Sequence, residues 1–171
     1  TVTEPGKRAL VWCDDDGEAH TWTFEQISAD SKRPAYFLAS QGIKKGDAVM
    51  MILSRRYEWW WVMMALHRIG AIAVPATDQL LQKDIEYRTN AAEIKMIISY
   101  DNPAVQSEIE KALPNSPTVK KLVTVGPSRE GWIDFHAEVD KCVPEFPRPV
   151  GDAAVHSEDP MLLYFTSGTS G

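Results

Sequence analysis

The sequence predicts an α/β protein, in which a layered, largely parallel sheet with flanking helices follows an N-terminal β-hairpin. Residues 48–53 form a continuous apolar stretch, which is typical of a strand covered on both faces. Longer segments of helical character, such as residues 57–69, alternate with strands of this kind. Strands and helices that alternate at this spacing favour right-handed βαβ units within one sheet.

The first elements are predicted from turn and cap signals. Two strand-like runs flank an Asp-Gly turn at residues 14–18, which indicates a β-hairpin over residues 8–23. Thr23 then begins a helix, and Gln26 completes a capping box with it. Because Pro34 lies inside this helical span, we expect a kink or a break at the proline.

Residues 57–69 are the most apolar helical candidate and contain Trp59, Trp60 and Trp61. A helix of this length spans about 20 Å, at about 1.5 Å per residue, and is too short to cross a bilayer. Since apolar residues lie on nearly all of its sides, we expect it to be buried between layers or under a neighbouring domain. Core packing is the favoured interpretation of the tryptophans, and the lining of an acyl or aromatic pocket is the alternative. Gly70 then ends the helix.

The remaining elements alternate along the chain. Strands are predicted at residues 71–74, 95–99, 121–125 and 161–165, and helices at residues 84–92, 103–113 and 133–142. On the first of these helices, Ile85, Tyr87 and Ala91 are expected to face inward. The last strand is expected to be buried, because all of its residues are apolar or aromatic.

The composition is that of one globular domain. The chain has 171 residues, of which 44% are hydrophobic, and its net charge is −6. Lysine and arginine do not form the clusters that nucleic-acid binding requires, so nucleic acid is disfavoured as a partner. No apolar run reaches the roughly 18 residues of a membrane span, and no signal peptide is visible.

Cysteine and histidine usage favours neither a metal site nor a redox motif. Cys13 and Cys142 lie far apart, which predicts reduced thiols in a cytoplasmic protein. A disulfide between the two cysteines is the alternative to reduced thiols. A targeting segment trimmed from the N-terminus is the alternative to a cytoplasmic location. The histidines lack the paired spacing of a metal site.

The C-terminal stretch carries the strongest functional signal. The apolar run at residues 161–165 leads directly into residues 166–171, which are only hydroxyl residues and glycines. A strand that delivers such a loop is one way in which α/β proteins present backbone N–H groups to a phosphate. The lysine motif of a Walker loop is absent. A Ser/Gly surface loop without a ligand is the alternative.

The residues YFTSGTSG at 164–171 resemble the phosphate-binding signature of the adenylate-forming enzymes, which include acyl-CoA synthetases, peptide-synthetase adenylation domains and luciferases. Three earlier segments are similar to further motifs of that family and occur in the expected order: WTFEQI at 22–27, GIKKGDAV at 42–49 and GAIAVPA at 70–76. The resemblance covers residues 9–171, and within the family it is strongest to the medium-chain acyl-CoA synthetases.

The resemblance implies an enzyme, an acid–thiol ligase that activates a carboxylic acid with ATP as an acyl-adenylate and then transfers the acyl group to coenzyme A. ATP, Mg²⁺ and coenzyme A are the implied cofactors, and a medium-chain acid is the implied substrate. The implied loop for the β- and γ-phosphates consists of Thr166, Ser167, Gly168, Thr169, Ser170 and Gly171. The family's catalytic lysine and Mg²⁺-binding glutamate come later in its sequences, so no catalytic or metal-binding residue is assigned.

Residues 1–171 are therefore expected to be the N-terminal part of an AMP-binding domain, with the rest of that domain and a C-terminal domain absent. Such a piece is expected to be inactive alone, because it holds at most one of the contact sets that a nucleotide needs. An aryl-CoA ligase and an amino-acid-adenylating domain remain alternatives within the family. Outside the enzymes, the alternative is a non-catalytic α/β binding module. The oligomeric state is left open, with a homo-oligomer as one alternative.

Overall fold

The computed structural model describes residues 4–166, and its first element is the expected hairpin. Strand β1 (Arg8–Cys13) pairs antiparallel with strand β2 (Ala19–Thr23). The turn between them contains Gly17 at a φ of +87°, a backbone conformation that glycine adopts without steric cost. The hairpin prediction is confirmed.

Helix α1 (Phe24–Asp30) begins with the predicted capping box. The Gln26 backbone N–H donates to Thr23 Oγ1 at 3.2 Å, and the Thr23 backbone N–H donates to Gln26 Oε1 at 2.8 Å. The two bonds satisfy backbone donors that the start of a helix leaves without partners. The cap also fixes the direction in which the chain leaves β2.

The helical span breaks at Ser31, and helix α2 (Lys32–Ser40) follows it. The expected break at Pro34 is displaced to this serine, because Pro34 lies in the first turn of α2. Backbone N–H groups in a first turn have no helical partner, so a proline there removes no hydrogen bond. The proline thus favours a helix start just before it.

Five parallel strands form the main sheet, in the order β4-β3-β5-β6-β7. The strands are β3 (Ala48–Ile52), β4 (Ile72–Pro75), β5 (Met96–Tyr100), β6 (Lys121–Val125) and β7 (Ile133–Asp134). Met50 in β3 lies opposite Val74 of β4 on one side and Ile97 of β5 on the other. The strand order therefore reverses direction between β3 and β5, as in doubly wound sheets.

Helices cover both faces of this sheet, which confirms the α/β prediction. They are α2, α3 (Glu58–Ile69), α4 (Gln82–Ala91), α5 (Pro103–Ala112) and α6 (Phe135–Val139). The side chains of β3 alternate between two apolar clusters. Val49 and Met51 pack with α2, α3 and α6, whereas Met50 and Ile52 pack with α4 and α5. The crossover from β3 to β4 and the crossover from β4 back to β5 run in opposite directions along the sheet. Connections of constant handedness therefore place α3 and α4 on opposite faces.

Helix α3 is buried along one side rather than on all sides. Val62 and Leu66 are fully buried in the core, whereas Trp60 is 44% exposed. Trp61 packs against the hairpin, with its ring 6.0 Å from that of Trp22 and 4.7 Å from that of Tyr57. No helix in residues 4–166 combines the length and apolar character that a bilayer crossing demands.

The helix expected at residues 133–142 is replaced in part by a strand. Ile133 and Asp134 form β7 at the edge of the sheet, and α6 begins only after them. Asp134 Oδ1 accepts a hydrogen bond from the Ala137 N–H at 2.9 Å, so this aspartate is the N-cap of α6. The cap fixes the start of the helix two residues later than predicted from the apolar spacing.

Candidate functional site

The chain reaches the candidate loop through residues 161–166, which we call the stem. The stem runs beside the edge strand β4: the Ala73 N–H donates to the Met161 carbonyl and the Leu163 N–H donates to the Ala73 carbonyl, both at 3.0 Å. Leu162 forms a parallel bridge with Ala73. Because this pairing is parallel, the end of the stem points to the carboxyl edge of the sheet. Ligands of open α/β sheets bind at that edge.

The expected buried strand over residues 161–165 is reduced to this single bridge. Met161 is 50% exposed and Tyr164 63% exposed, whereas Leu163 packs against the cluster of α4 and α5. The prediction of burial fails because β4 is an edge strand. Among residues 4–166, no further strand pairs along the outer side of the stem.

Helix α4 holds the last part of the stem through aromatic and cationic contacts. The Phe165 ring lies 6.0 Å from the Tyr87 ring, and the Arg88 guanidinium lies 5.2 Å from the Phe165 centroid. The prediction that Tyr87 and Ala91 face inward is wrong, because Tyr87 is 67% exposed and Ala91 is also exposed. The reason is geometric, since residues two positions apart on a helix, such as Ile85 and Tyr87, lie on different faces. Phe165 is thereby fixed immediately before the loop.

Of the loop residues predicted to bind phosphate, only Thr166 is described, and it is exposed at the end of the stem. Ser167, Gly168, Thr169, Ser170 and Gly171 lie outside the described residues. The stem therefore places the start of the loop at the carboxyl edge, beside β4. Phosphate binding by the loop stays a prediction.

Polar side chains that the sequence did not signal join the ends of β4 and β5 at the same edge. The Tyr100 hydroxyl donates to Asp78 Oδ2 at 3.1 Å, and Asn102 Nδ2 donates to the Tyr100 oxygen at 3.0 Å. Burial raises the pKa of Tyr100, the Asn102 hydrogen bond opposes this, and Asp78 raises it further. Tyr100 is therefore a neutral donor at pH 7. Asp78 and Tyr100 are 22 residues apart, too far for any local motif to connect them.

A crevice opens where the strand order reverses, outside the carboxyl ends of β3 and β5. Its volume is about 660 Å³, and its lining includes Trp12, Ser54, Arg55, Arg56 and Tyr100. Ser54 adopts a φ of +42°, which is uncommon for a residue other than glycine. The Trp12 Nε1–H donates to the Arg55 carbonyl at 2.6 Å, so the hairpin forms one wall of the crevice. The crevice and the end of the stem lie at the same edge of the sheet.

A buried carboxylate supports the loop that follows β3. Glu58 is fully buried; its Oε1 lies 3.0 Å from His136 Nε2, and its Oε2 lies 3.5 Å from Arg56 Nε. Burial raises the pKa of Glu58, but the hydrogen bond from His136 and the charge of Arg56 outweigh it and hold the pKa below its ordinary value. The same bond raises the pKa of His136. This network ties α3 to α6, and no spacing in the sequence indicated it.

The described side chains do not assemble a metal site. Within residues 4–166, no group of three histidine, cysteine, aspartate or glutamate side chains is placed to hold a metal ion. Cys13 and Cys142 are both free thiols. The polar groups at the carboxyl edge are thus suited to hydrogen bonding rather than to binding a metal through a complete set of protein ligands.

Comparison with known sequences identifies relatives over the whole chain. The sequence profile described as AMP-binding enzyme matches residues 2–171. The rat protein acyl-coenzyme A synthetase ACSM5, mitochondrial (Rattus norvegicus), is 35% identical over 100% of this chain and 29% of its own length. The human protein acyl-coenzyme A synthetase ACSM1, mitochondrial (Homo sapiens), is 36% identical over 97% of this chain and 29% of its own length. The chain thus spans less than a third of these relatives.

Solved structures agree in fold. A Brucella canis acyl-CoA synthetase superposes with a TM-score of 0.85 and 26% identity, covering 99% of this chain and 30% of that one. The anthranilate CoA ligase AuaEII, solved with anthranoyl-AMP, gives a TM-score of 0.83 at 22% identity, covering 99% of this chain and 31% of that one. At this identity the second similarity shows the fold alone.

Proposed function

Because the chain belongs to the AMP-binding enzyme family, we propose that it is part of an ATP-dependent acyl-CoA synthetase. Such an enzyme joins a carboxylate to AMP with release of pyrophosphate, then passes the acyl group to the thiol of coenzyme A. The observation that carries the proposal is the family match over residues 2–171, together with relatives named as acyl-coenzyme A synthetases. The fold shared with an acyl-CoA synthetase supports it.

The proposed role of Thr166 to Gly171 is to hold the β- and γ-phosphates of ATP during adenylate formation. Negative charge develops on pyrophosphate as it leaves, and preorganised backbone N–H groups and hydroxyls stabilise such charge. The stem supports this role because it ends at the carboxyl edge with Phe165 fixed against α4. Glycines in the loop would let the backbone approach the phosphates closely.

The cofactors fit this chain to different degrees. Loop hydroxyls and backbone N–H groups suit ATP phosphates chemically, whereas residues 4–166 offer no complete set of Mg²⁺ ligands. We therefore assign no Mg²⁺ ligand and no coenzyme A contact to named residues. When bound, Mg²⁺ would neutralise phosphate charge through the phosphate oxygens.

We further propose that residues 1–171 are the N-terminal part of the AMP-binding domain and are inactive without the remainder. The support is the coverage of the relatives, of which the chain matches 29%. Pyrophosphate exchange into ATP, driven by a carboxylic acid, tests both proposals. A full-length protein that contains this chain should catalyse the exchange, and the purified chain should not exceed a blank.

The substrate is proposed to be a medium-chain carboxylic acid, and an aryl acid is the second candidate because the sequence resemblance leaves an aryl-CoA ligase as an alternative. An apolar pocket discriminates one methylene by about 1–3 kcal/mol, so the preference should be broad. Hydroxamate trapping over acetate, octanoate, benzoate and amino acids tests this. A maximum at acetate, benzoate or an amino acid would reject the medium-chain proposal and leave adenylate formation standing.

Cellular location and oligomeric state are two further properties of the proposed enzyme that can be measured. Composition and reduced cysteines predict a cytoplasmic protein, whereas the relatives' names say mitochondrial. Fractionation of cells that express the tagged full-length protein distinguishes the two locations. Light scattering of the same protein measures whether it forms a homo-oligomer.

A further inference from the structure

A groove lies at the amino edge of the sheet, opposite the edge that the stem reaches. Helix α3 ends at Ile69, and β4 begins directly after it, so the end of α3 marks the amino edge. A cavity of about 380 Å³ separates this helix end from the segment at residues 146–155. Its lining consists of His67, Arg68, Phe146, Arg148, Pro149 and Val155. The groove is therefore separate from the proposed adenylation loop.

An apolar chamber adjoins this cavity and shares two of its lining residues. The chamber measures about 360 Å³ and is lined by Phe24, Ile27 and Met64 together with His67 and Arg68. Phe24 is among the exposed large hydrophobic residues of the chain. Ligand pockets of small molecules typically combine apolar walls of this kind with a few placed polar groups.

Two arginines give the groove an uncompensated positive charge. Arg68 donates through Nε to Ser31 Oγ at 2.9 Å, and through Nη2 to the Ser28 carbonyl at 2.7 Å and Ser28 Oγ at 3.0 Å. All of these acceptors are neutral. The ion pairs found in residues 4–166 include neither Arg68 nor Arg148. A half-buried guanidinium that lacks a counter-charge is a suitable partner for an anion.

His67 lies in the wall that both cavities share. Its Nε2 is buried and has no hydrogen-bond partner among the described residues. Burial lowers the pKa of this imidazole, and the backbone of Met161 opposes the shift. In a neutral imidazole one ring nitrogen donates and the other accepts, and the donor is engaged by the Met161 backbone. His67 therefore gives an anion no hydrogen bond, and the two arginines carry its recognition.

From this geometry we propose that the groove binds a small anionic amphiphile, meaning one anionic head joined to a short apolar body. The head lies between Arg68 and Arg148, and the body packs on Phe146 and Val155 or extends into the chamber beside Phe24. Carboxylate and phosphate heads share this chemistry. The site does not use the loop at residues 166–171, so it stands independently of the adenylation proposal.

Nuclear magnetic resonance titration of the 171-residue chain tests the site. The probes are sodium octanoate and octyl phosphate, and octanol and octylammonium are the uncharged and cationic controls. We expect amide shifts at Arg68, Arg148 and Val155 with one or both anions, and none of comparable size with either control. Stronger binding of one anion identifies the preferred head group. The absence of shifts at these residues up to about 10 mM of both anions would reject the proposal.

Two variants that each remove one positive charge test whether Arg148 forms part of the binding site. Arg148→Gln removes an exposed positive charge of the groove, and Lys83→Gln removes an exposed positive charge of α4. We expect Arg148→Gln to weaken octanoate binding by about tenfold, the effect of one charge-assisted contact, with Lys83→Gln unchanged. Circular dichroism of both variants confirms folding. Equal affinities of Arg148→Gln and the unaltered chain would overturn the assignment.

Discussion

At the residue scale, the proposed phosphate-binding loop provides the sharpest functional test. Gly168 lies in the hydroxyl and glycine run whose proposed role is close contact with phosphate. A β-branched residue is poorly tolerated where the backbone needs a positive φ or a close approach to a ligand. Loss of one well-placed donor costs about 100-fold or more in rate.

We therefore expect Gly168→Val in the full-length protein to reduce pyrophosphate exchange by about 100-fold or more while leaving the melting temperature nearly unchanged. Gly6→Val is a matched control, since Gly6 has no heavy atom within 4 Å of an added Cβ. Normal exchange in Gly168→Val would remove the loop from the mechanism.

The Glu58–His136 pair makes the free energy of unfolding depend on pH. The folded pKa of His136 is raised above 6.5, so its contribution is complete below that pH and is lost as the pH rises through the folded value. The folded pKa of Glu58 is lowered below 4.5, so its contribution is complete above that pH and is lost on further acidification. The pair therefore contributes most between pH 4.5 and 6.5.

We expect His136→Gln to lower the melting temperature more at pH 6 than at pH 8. The side chain of His136 is 40% exposed, and solvent screening limits the pH-dependent difference to about 0.5–1 kcal/mol, or about 1–3 °C. His156→Gln is the control, because that histidine is exposed. Thermal melts across this pH range measure the difference, and an equal decrease at both values would contradict the assigned pairing.

At the element scale, the end of α3 shows how a backbone requirement and a packing requirement combine. Gly70 has a φ of +80°, and an added Cβ would lie 2.9 Å from Val155 Cγ2 and 3.0 Å from Lys45 Cγ. Gly131 has nearly the same φ, +78°, but open space around its Cα. The two glycines separate the cost of the left-handed conformation from the cost of crowding.

We expect Gly131→Ala to reduce the free energy of unfolding by about 1–2 kcal/mol, the cost of a left-handed residue other than glycine. Gly70→Ala should lose a further 1–3 kcal/mol or so, because Lys45 and Val155 must move. Urea unfolding of both variants measures the difference. Equal losses in the two variants would show that Lys45 and Val155 move aside without reducing the free energy of unfolding.

Local signals explain which elements were predictable from sequence. The capping box of Thr23 and Gln26 and the apolar run of β3 are encoded within a few residues, and both were predicted correctly. The stem was mispredicted because apolar composition does not reveal whether a partner strand covers both sides. The burial of Glu58 also escaped prediction, since its partner His136 is 78 residues away. Contacts of this kind come from the folded arrangement and not from local spacing.

At the scale of the whole molecule, the hairpin is a separate unit docked by aromatic rings. Trp22 contacts Tyr57 at 5.4 Å and Trp61 at 6.0 Å, and Trp12 contacts Tyr57 at 5.1 Å between ring centroids. An isolated two-stranded hairpin is at best marginally stable in water, whereas the five-stranded sheet is covered on both faces. The hairpin should therefore open at lower free energy than the sheet.

We expect hydrogen exchange in β1 and β2 to be faster than in β3 and β5. Trp22→Ala should abolish the remaining protection of the hairpin and leave that of the sheet nearly intact. Trp60→Ala, at the exposed position of α3, is the control and should change neither. Loss of protection throughout the chain in Trp22→Ala would show that hairpin and sheet unfold as one unit.

The central place of β3 has a consequence for how a nascent chain folds. β4 is made next and pairs on one side of β3, and β5, β6 and β7 then add in order of synthesis to the other side. Each new strand thus finds an edge already exposed on the growing sheet, and no strand waits for one made later. Until β4 and β5 leave the ribosome, however, the wholly apolar β3 has both edges open. Translational pausing before β4 is complete should therefore expose this chain to aggregation more than pausing at any later strand.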